Sequence, residues 1–154
     1  MLLYTELKSI LPKTKGIEDS QLAFQELYID STRKVSKGLF LSVPSESEEE
    51  LLKEALYNGA IGAVWPLNKK VPSFLPNHFP LFLTNNALDA LKEVIHFYEN
   101  FTERNRYEIM SKITLSYRKT HNGKNNTYDS AVMEEIQHIE DELSTILKHV
   151  ERGR

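Results

Sequence analysis

Three consecutive segments between residues 38 and 65 restrict the fold more than anything else in this chain. Residues 38–43, GLFLSV, are a short apolar run bounded by turn formers, and they predict a strand. Ser45 to Ser47 then offer helix N-caps, and Glu46 and Glu48 to Glu50 suit the positive end of a helix dipole. Leu51, Leu52, Ala55 and Leu56 form an apolar stripe before the stop at Gly59. Residues 60–65, AIGAVW, are again apolar and of strand length. Strand, helix and strand in that order predict a crossover unit with parallel pairing, and so an α/β fold.

The flanking segments extend the pattern. Residues 25–30, QELYID, and 80–84, PLFLT, read as further strands, the first followed by the polar turn DSTRKVSK and the second preceded by a proline-rich connection over 66–80. Leu3, Leu7, Ile10 and Leu11 predict a short opening helix ended by Pro12 and Gly16, with a linker-like stretch after it. From Asn86, the spacing of Leu88, Leu91, Ile95 and Tyr98 predicts a helix running on past Phe101 toward Ile109 and the polar break KTHNGKNNT. Beyond that break Val132, Ile136, Ile139, Leu143, Ile146 and Val150 step by four and three, the seam of a heptad helix. These readings divide the chain into an α/β domain at 1–101 and a helical extension at 102–154, either a tail or a hairpin.

Composition removes several function classes. The net charge of −3, with Lys and Arg scattered among acids, lacks the basic stripe of a nucleic-acid binder. The absence of cysteine excludes disulfides, thiolate metal sites and thiol nucleophiles, and fits a reducing compartment. Charges at Glu6 and Lys8 interrupt the opening apolar residues, and no run of 18 apolar residues occurs, so the expectation is a cytoplasmic protein without a membrane segment.

In order and spacing the segments resemble the N-terminal, substrate-side domain of Mur ligases, which add amino acids to UDP-linked peptidoglycan precursors. The family carries a D-S-R-K-V-x-x-G-D-L-F stretch and then an A-x-x-x-G-A-x-A-V stretch. This chain has Asp30-Ser31-Thr32-Arg33-Lys34-Val35-Ser36-Lys37-Gly38-Leu39-Phe40, then Ala55-Leu56-Tyr57-Asn58-Gly59-Ala60-Ile61-Gly62-Ala63-Val64, and PLFLTNNALDALKEVIHFY resembles the closing strand and helix. The resemblance covers residues 1–101. It departs at an inserted Thr32, at a missing Asp before Leu39, and at Pro44 to Glu50, where acids replace a D-G-H-D-F-like stretch and would repel a diphosphate. Where a full-length ligase has a strand and a G-T-N-G-K-T-T phosphate loop, this chain has Lys112 to Leu115 and then Thr120-His121-Asn122-Gly123-Lys124-Asn125-Asn126-Thr127. The first Gly and the magnesium-side Thr are lost, and only Asn122, Gly123 and Lys124 survive.

The resemblance therefore implies a non-catalytic binding or regulatory module with no cofactor and no metal, linked to peptidoglycan precursors. Three uses stay open. One is a protein partner or homodimer through the Val132–Val150 seam, against which stands a hairpin packed on the preceding helix. The second is a sensor of UDP or a UDP-sugar, with Asp30, Ser31, Arg33 and Lys34 as ligand residues, against which stands a plain surface turn. The third is one subunit of a split ATP-dependent ligase. Asn122 to Lys124 read more readily as a plain polar turn between two helices than as a phosphate site. The Glu135-x-x-His138 spacing occurs once, without the second copy that a two-metal bundle requires.

Overall fold

A computed structural model describes residues 1–101, 103–117 and 128–152. Eight strands and five helices follow one another within these residues. They are β1 (Leu2–Leu3), α1 (Tyr4–Ile10), β2 (Thr14–Lys15), β3 (Ala23–Phe24), β4 (Glu26–Tyr28), β5 (Gly38–Leu41), α2 (Glu48–Tyr57), β6 (Ala60–Pro66), β7 (Leu81–Thr84), α3 (Ala87–Glu99), α4 (Glu103–Met110), β8 (Ile113–Thr114) and α5 (Ser130–Arg152). The fold is mixed α/β, built on a six-stranded sheet in the order β2-β7-β6-β5-β4-β8. Only β2 is antiparallel in that sheet, and the predicted β5-α2-β6 crossover pairs in parallel, Leu41 opposite Val64.

Alternation along the strands separates two cores, because successive side chains leave a strand on opposite faces. Leu27, Ile29, Leu39, Leu41, Val64 and Phe82 face the layer of α1, α3, α4 and α5. Tyr28, Phe40, Ala63, Trp65 and Leu81 face α2, whose Leu52 and Ala55 cover them. The α2 helix stops at Gly59, where φ is +114° and a Cβ would stand 2.2 Å from the Val35 carbonyl oxygen. Asn86 caps α3, its side chain accepting from the Leu88 and Asp89 N–H groups at 3.0 Å.

Three expectations change. The stretch after the opening helix is not a linker: β2 pairs with β7, and β3 pairs with β1. Leu2–Leu3 is extended because of that pairing, which buries Leu2 and turns Leu3 outward. The helix from Asn86 does not run on unbroken toward Ile109. It ends at Glu99, resumes as α4, and gives way to β8, because the Leu27 N–H donates to the Lys112 carbonyl (2.8 Å) and draws that segment onto the sheet edge.

The expected boundary near residue 102 coincides with no break in packing. β8 extends the sheet beside β4, and Ile136, Ile139 and Leu143 of α5 lie in the same core as Leu27 and Leu91. The heptad seam is thus occupied by the chain's own helices, with Val132 and Ile146 half-buried at its margins and Lys92 paired to Glu135 at 3.2 Å. Of the two uses open to the seam, the intramolecular one is filled. The side chain of Val150 lies outside the described residues.

Candidate functional site

The turn after β4 gathers the four residues that the resemblance singled out. Asp30 organises it: the Thr32 N–H and hydroxyl donate to its carboxylate at 3.0 and 2.6 Å, and the Arg33 N–H donates to its carbonyl at 3.1 Å. Ser31 is buried and its hydroxyl donates to Glu54 of α2 (2.5 Å), while the Asn58 side chain donates to the Ser31 carbonyl (3.0 Å). Arg33 forms a two-pronged bond to Glu26, 2.8 Å on each arm, and Glu26 also accepts from the Thr114 hydroxyl of β8 at 2.5 Å. Lys34 is exposed.

The side chains proposed for a ligand are therefore together, but two of them are already engaged. Arg33 is spent on Glu26 and Ser31 on Glu54. The electrostatics agree: burial pushes the Glu26 carboxyl up, but the Arg33 and Thr114 bonds outweigh it and hold the group below the usual range. The bond to Glu26 holds the Arg33 guanidinium still more firmly charged. This network ties β8 to the β4–β5 turn.

The same turn stands at the place where parallel sheets most often take ligands. From β4 the chain moves through β5, β6 and β7 to one side, then returns to lay β8 on the other side of β4. The direction of strand order reverses between β4 and β8, and crevices at the carboxyl ends of such strands are the usual binding positions. Tyr128 walls this end: it is buried, donates to the Ile29 carbonyl at 3.5 Å and meets Tyr117 edge to face at 5.2 Å. Burial raises its phenol well above the ordinary value, and the nearby Asp30 and Glu48 carboxylates add to the shift.

On the α2 side of this edge, buried polar groups stand without partners. Ser42 follows Leu41, whose partner is Val64, so it lies beside Trp65, and Trp65 is opposite Leu83. The Ser42 hydroxyl, the Trp65 indole N–H and one oxygen of Glu48 make no hydrogen bond among the described residues. The other Glu48 oxygen accepts from the Ser45 N–H at 3.2 Å and pairs with Lys69 at 3.2 Å. Ser42 and Glu48 are only 2% and 6% exposed, a depth at which polar groups are nearly always bonded.

Sequence reading missed Ser42, Glu48, Trp65 and Tyr128. Two signals were present: a hydroxyl at the position of GLFLSV that shares a face with Phe40, and a Ser-x-x-Glu spacing at Ser45 and Glu48. Asn122, Gly123 and Lys124 lie outside the described residues. Among the described residues no group of His, Asp and Glu has the arrangement of a metal site, and no helix is long and apolar enough to cross a membrane. No protein-family model matches the chain, and no curated protein matches it.

Proposed function

We propose that this chain is a non-catalytic binding module, resembling the substrate side of a Mur ligase, that takes a small polar ligand at the carboxyl edge of its sheet. The observation that carries the reading is the set of unpaired buried groups at that edge: the Ser42 hydroxyl, the Trp65 N–H and one Glu48 oxygen. A ligand that supplies their hydrogen bonds recovers the desolvation cost they now carry. The internal use of the α5 seam supports a ligand at the edge over self-association through the tail.

Charge defines the ligand further. Asp30 and Glu48 flank the edge, so the part of the ligand in contact with it is uncharged, with a donor for the Glu48 oxygen and an acceptor for the Trp65 N–H, and a diphosphate is disfavoured there. Of the UDP-linked precursors that the resemblance suggests, the sugar or the uracil fits. The test is calorimetry and thermal shift with uridine, N-acetylglucosamine and UDP-N-acetylmuramate, on the natural chain and on Ser42→Ala. A saturable heat with one probe, weakened about tenfold by the substitution, is expected from the loss of one ligand hydrogen bond. Without ligand, Ser42→Ala should not lower stability and should raise it by up to about 1–3 kcal/mol, because it removes a buried hydroxyl that has no partner. Neither heat nor shift at about millimolar concentration of any probe would sink the proposal.

A further inference from the structure

A second recess lies toward the β2 edge of the sheet, between β2 and the 67–80 connection, past the carboxyl ends of β6 and β7. It has a volume of about 470 Å³ and is lined by Lys15, Leu67, Lys69, Lys70, Val71 and Leu83. Small-ligand sites commonly enclose about 300–1,000 Å³. Leu67, Val71 and Leu83 are half-buried and make an apolar floor, and the three lysines are exposed around it.

Its geometry follows from the backbone. The Leu67 N–H donates to the Thr84 carbonyl (2.8 Å) and the Leu83 N–H to the Lys13 carbonyl (2.8 Å), which fixes the start of the connection and β2 on either side of β7. Gly16 has φ of +83°, and a Cβ there would lie 2.1 Å from the Phe79 carbonyl oxygen, so only glycine lets the β2 end approach the connection this closely. A smaller recess of about 280 Å³ continues beyond, sharing Lys15 and Val71.

The charge is local and uncompensated on two of the three lysines. Lys69 pairs with Glu48, whereas Lys15 and Lys70 have no carboxylate partner among the described residues. The chain as a whole carries −3, so a cationic rim around an apolar floor runs against its average. We infer that this recess binds a small amphiphilic carboxylate, its apolar body on Leu67, Val71 and Leu83 and its anionic head between Lys15 and Lys70. Apolar contact with the floor supplies affinity, and the two ammonium groups select the sign of charge.

The probes are octanoate, acetate and octylammonium, added to the full chain labelled at Leu and Val methyl groups and followed by NMR. A probe of octanoate's size is expected to saturate at about millimolar concentration, shifting the Val71 and Leu83 methyls. Acetate should bind at least tenfold more weakly, lacking the apolar body, and octylammonium should give no saturable shift at these methyls. The double variant K15E/K70E should weaken octanoate about tenfold while leaving the methyls of the α3–α5 core in place. Ser42→Ala should not alter octanoate binding, so this site and the carboxyl-edge site succeed or fail separately. No saturable shift in the natural chain, equal binding of octylammonium, or undiminished octanoate binding by the folded double variant would each overturn the assignment.

Discussion

Replacing Ile139 by alanine tests whether the C-terminal helix is structural or an appendage. Ile139 is 1% exposed and packs in the core shared by α3, α4 and the sheet face of Leu27 and Ile29. Removing its branched chain forfeits the full transfer energy and leaves a cavity among neighbours held by a sheet, about 3 kcal/mol within the usual 2–5 for such a site. With a urea dependence of about 2 kcal/mol per molar, the midpoint should fall by about 1.5 M. The assay is the fluorescence of Trp65, the one tryptophan, which sits in the opposite core beneath α2. A defect on one face is then read from the other. Half-buried Ile146→Ala should lower the midpoint by less than half as much, and exposed Glu142→Ala should leave it in place. A Trp65 transition unmoved by Ile139→Ala, with helical signal lost in a separate step, would refute the integration of α5 into the fold.

Two further substitutions address the backbone and the turn. Glu26→Gln removes the negative charge and one of the two oxygens that accept from Arg33, and should cost about 1–2 kcal/mol at neutral pH. Because the folded Glu26 carboxyl lies below its ordinary 4.5, its contribution is present above that value and lost as pH falls through the depressed one, so the gap in urea midpoint between the two proteins should close as the solution is acidified below 4.5. A gap that stays constant would mean that the ion pair contributes nothing. Gly59→Ala forces a side chain into positive φ against the Val35 carbonyl and should cost about 1–3 kcal/mol in thermal unfolding; an unchanged melting temperature would contradict the assigned conformation.

How much of this was legible from the sequence differed by element. The β5-α2-β6 crossover was readable because each segment's apolar period is local and its caps are adjacent in sequence. β1, β2 and β3 were not readable, since segments of two residues carry no period, and β8 was marked only by the resemblance, which set Lys112 to Leu115 in the place of a strand. They are extended only because a partner strand, up to 86 positions away for Leu27 and Ile113, accepts their hydrogen bonds. In the turn, sequence supplied Asp30, Ser31, Arg33 and Lys34 but not their engagement. That Arg33 meets Glu26 is a consequence of β4 and the turn folding back on each other, and that Ser31 meets Glu54 depends on where α2 docks.

By itself, the sequence determined the α/β class, the parallel crossover and the amphipathic faces of α2, α3 and α5, because periodicity and capping act within a few residues. Tertiary structure alone decided that the α5 seam would be filled from within, that residues 113–114 would extend the sheet beside β4, and that Ser42, Trp65 and Glu48 would each be buried with a polar atom unpaired. The reason is range: a side chain's partners across a sheet are set by strand order and register, which depend on the packing of the whole chain.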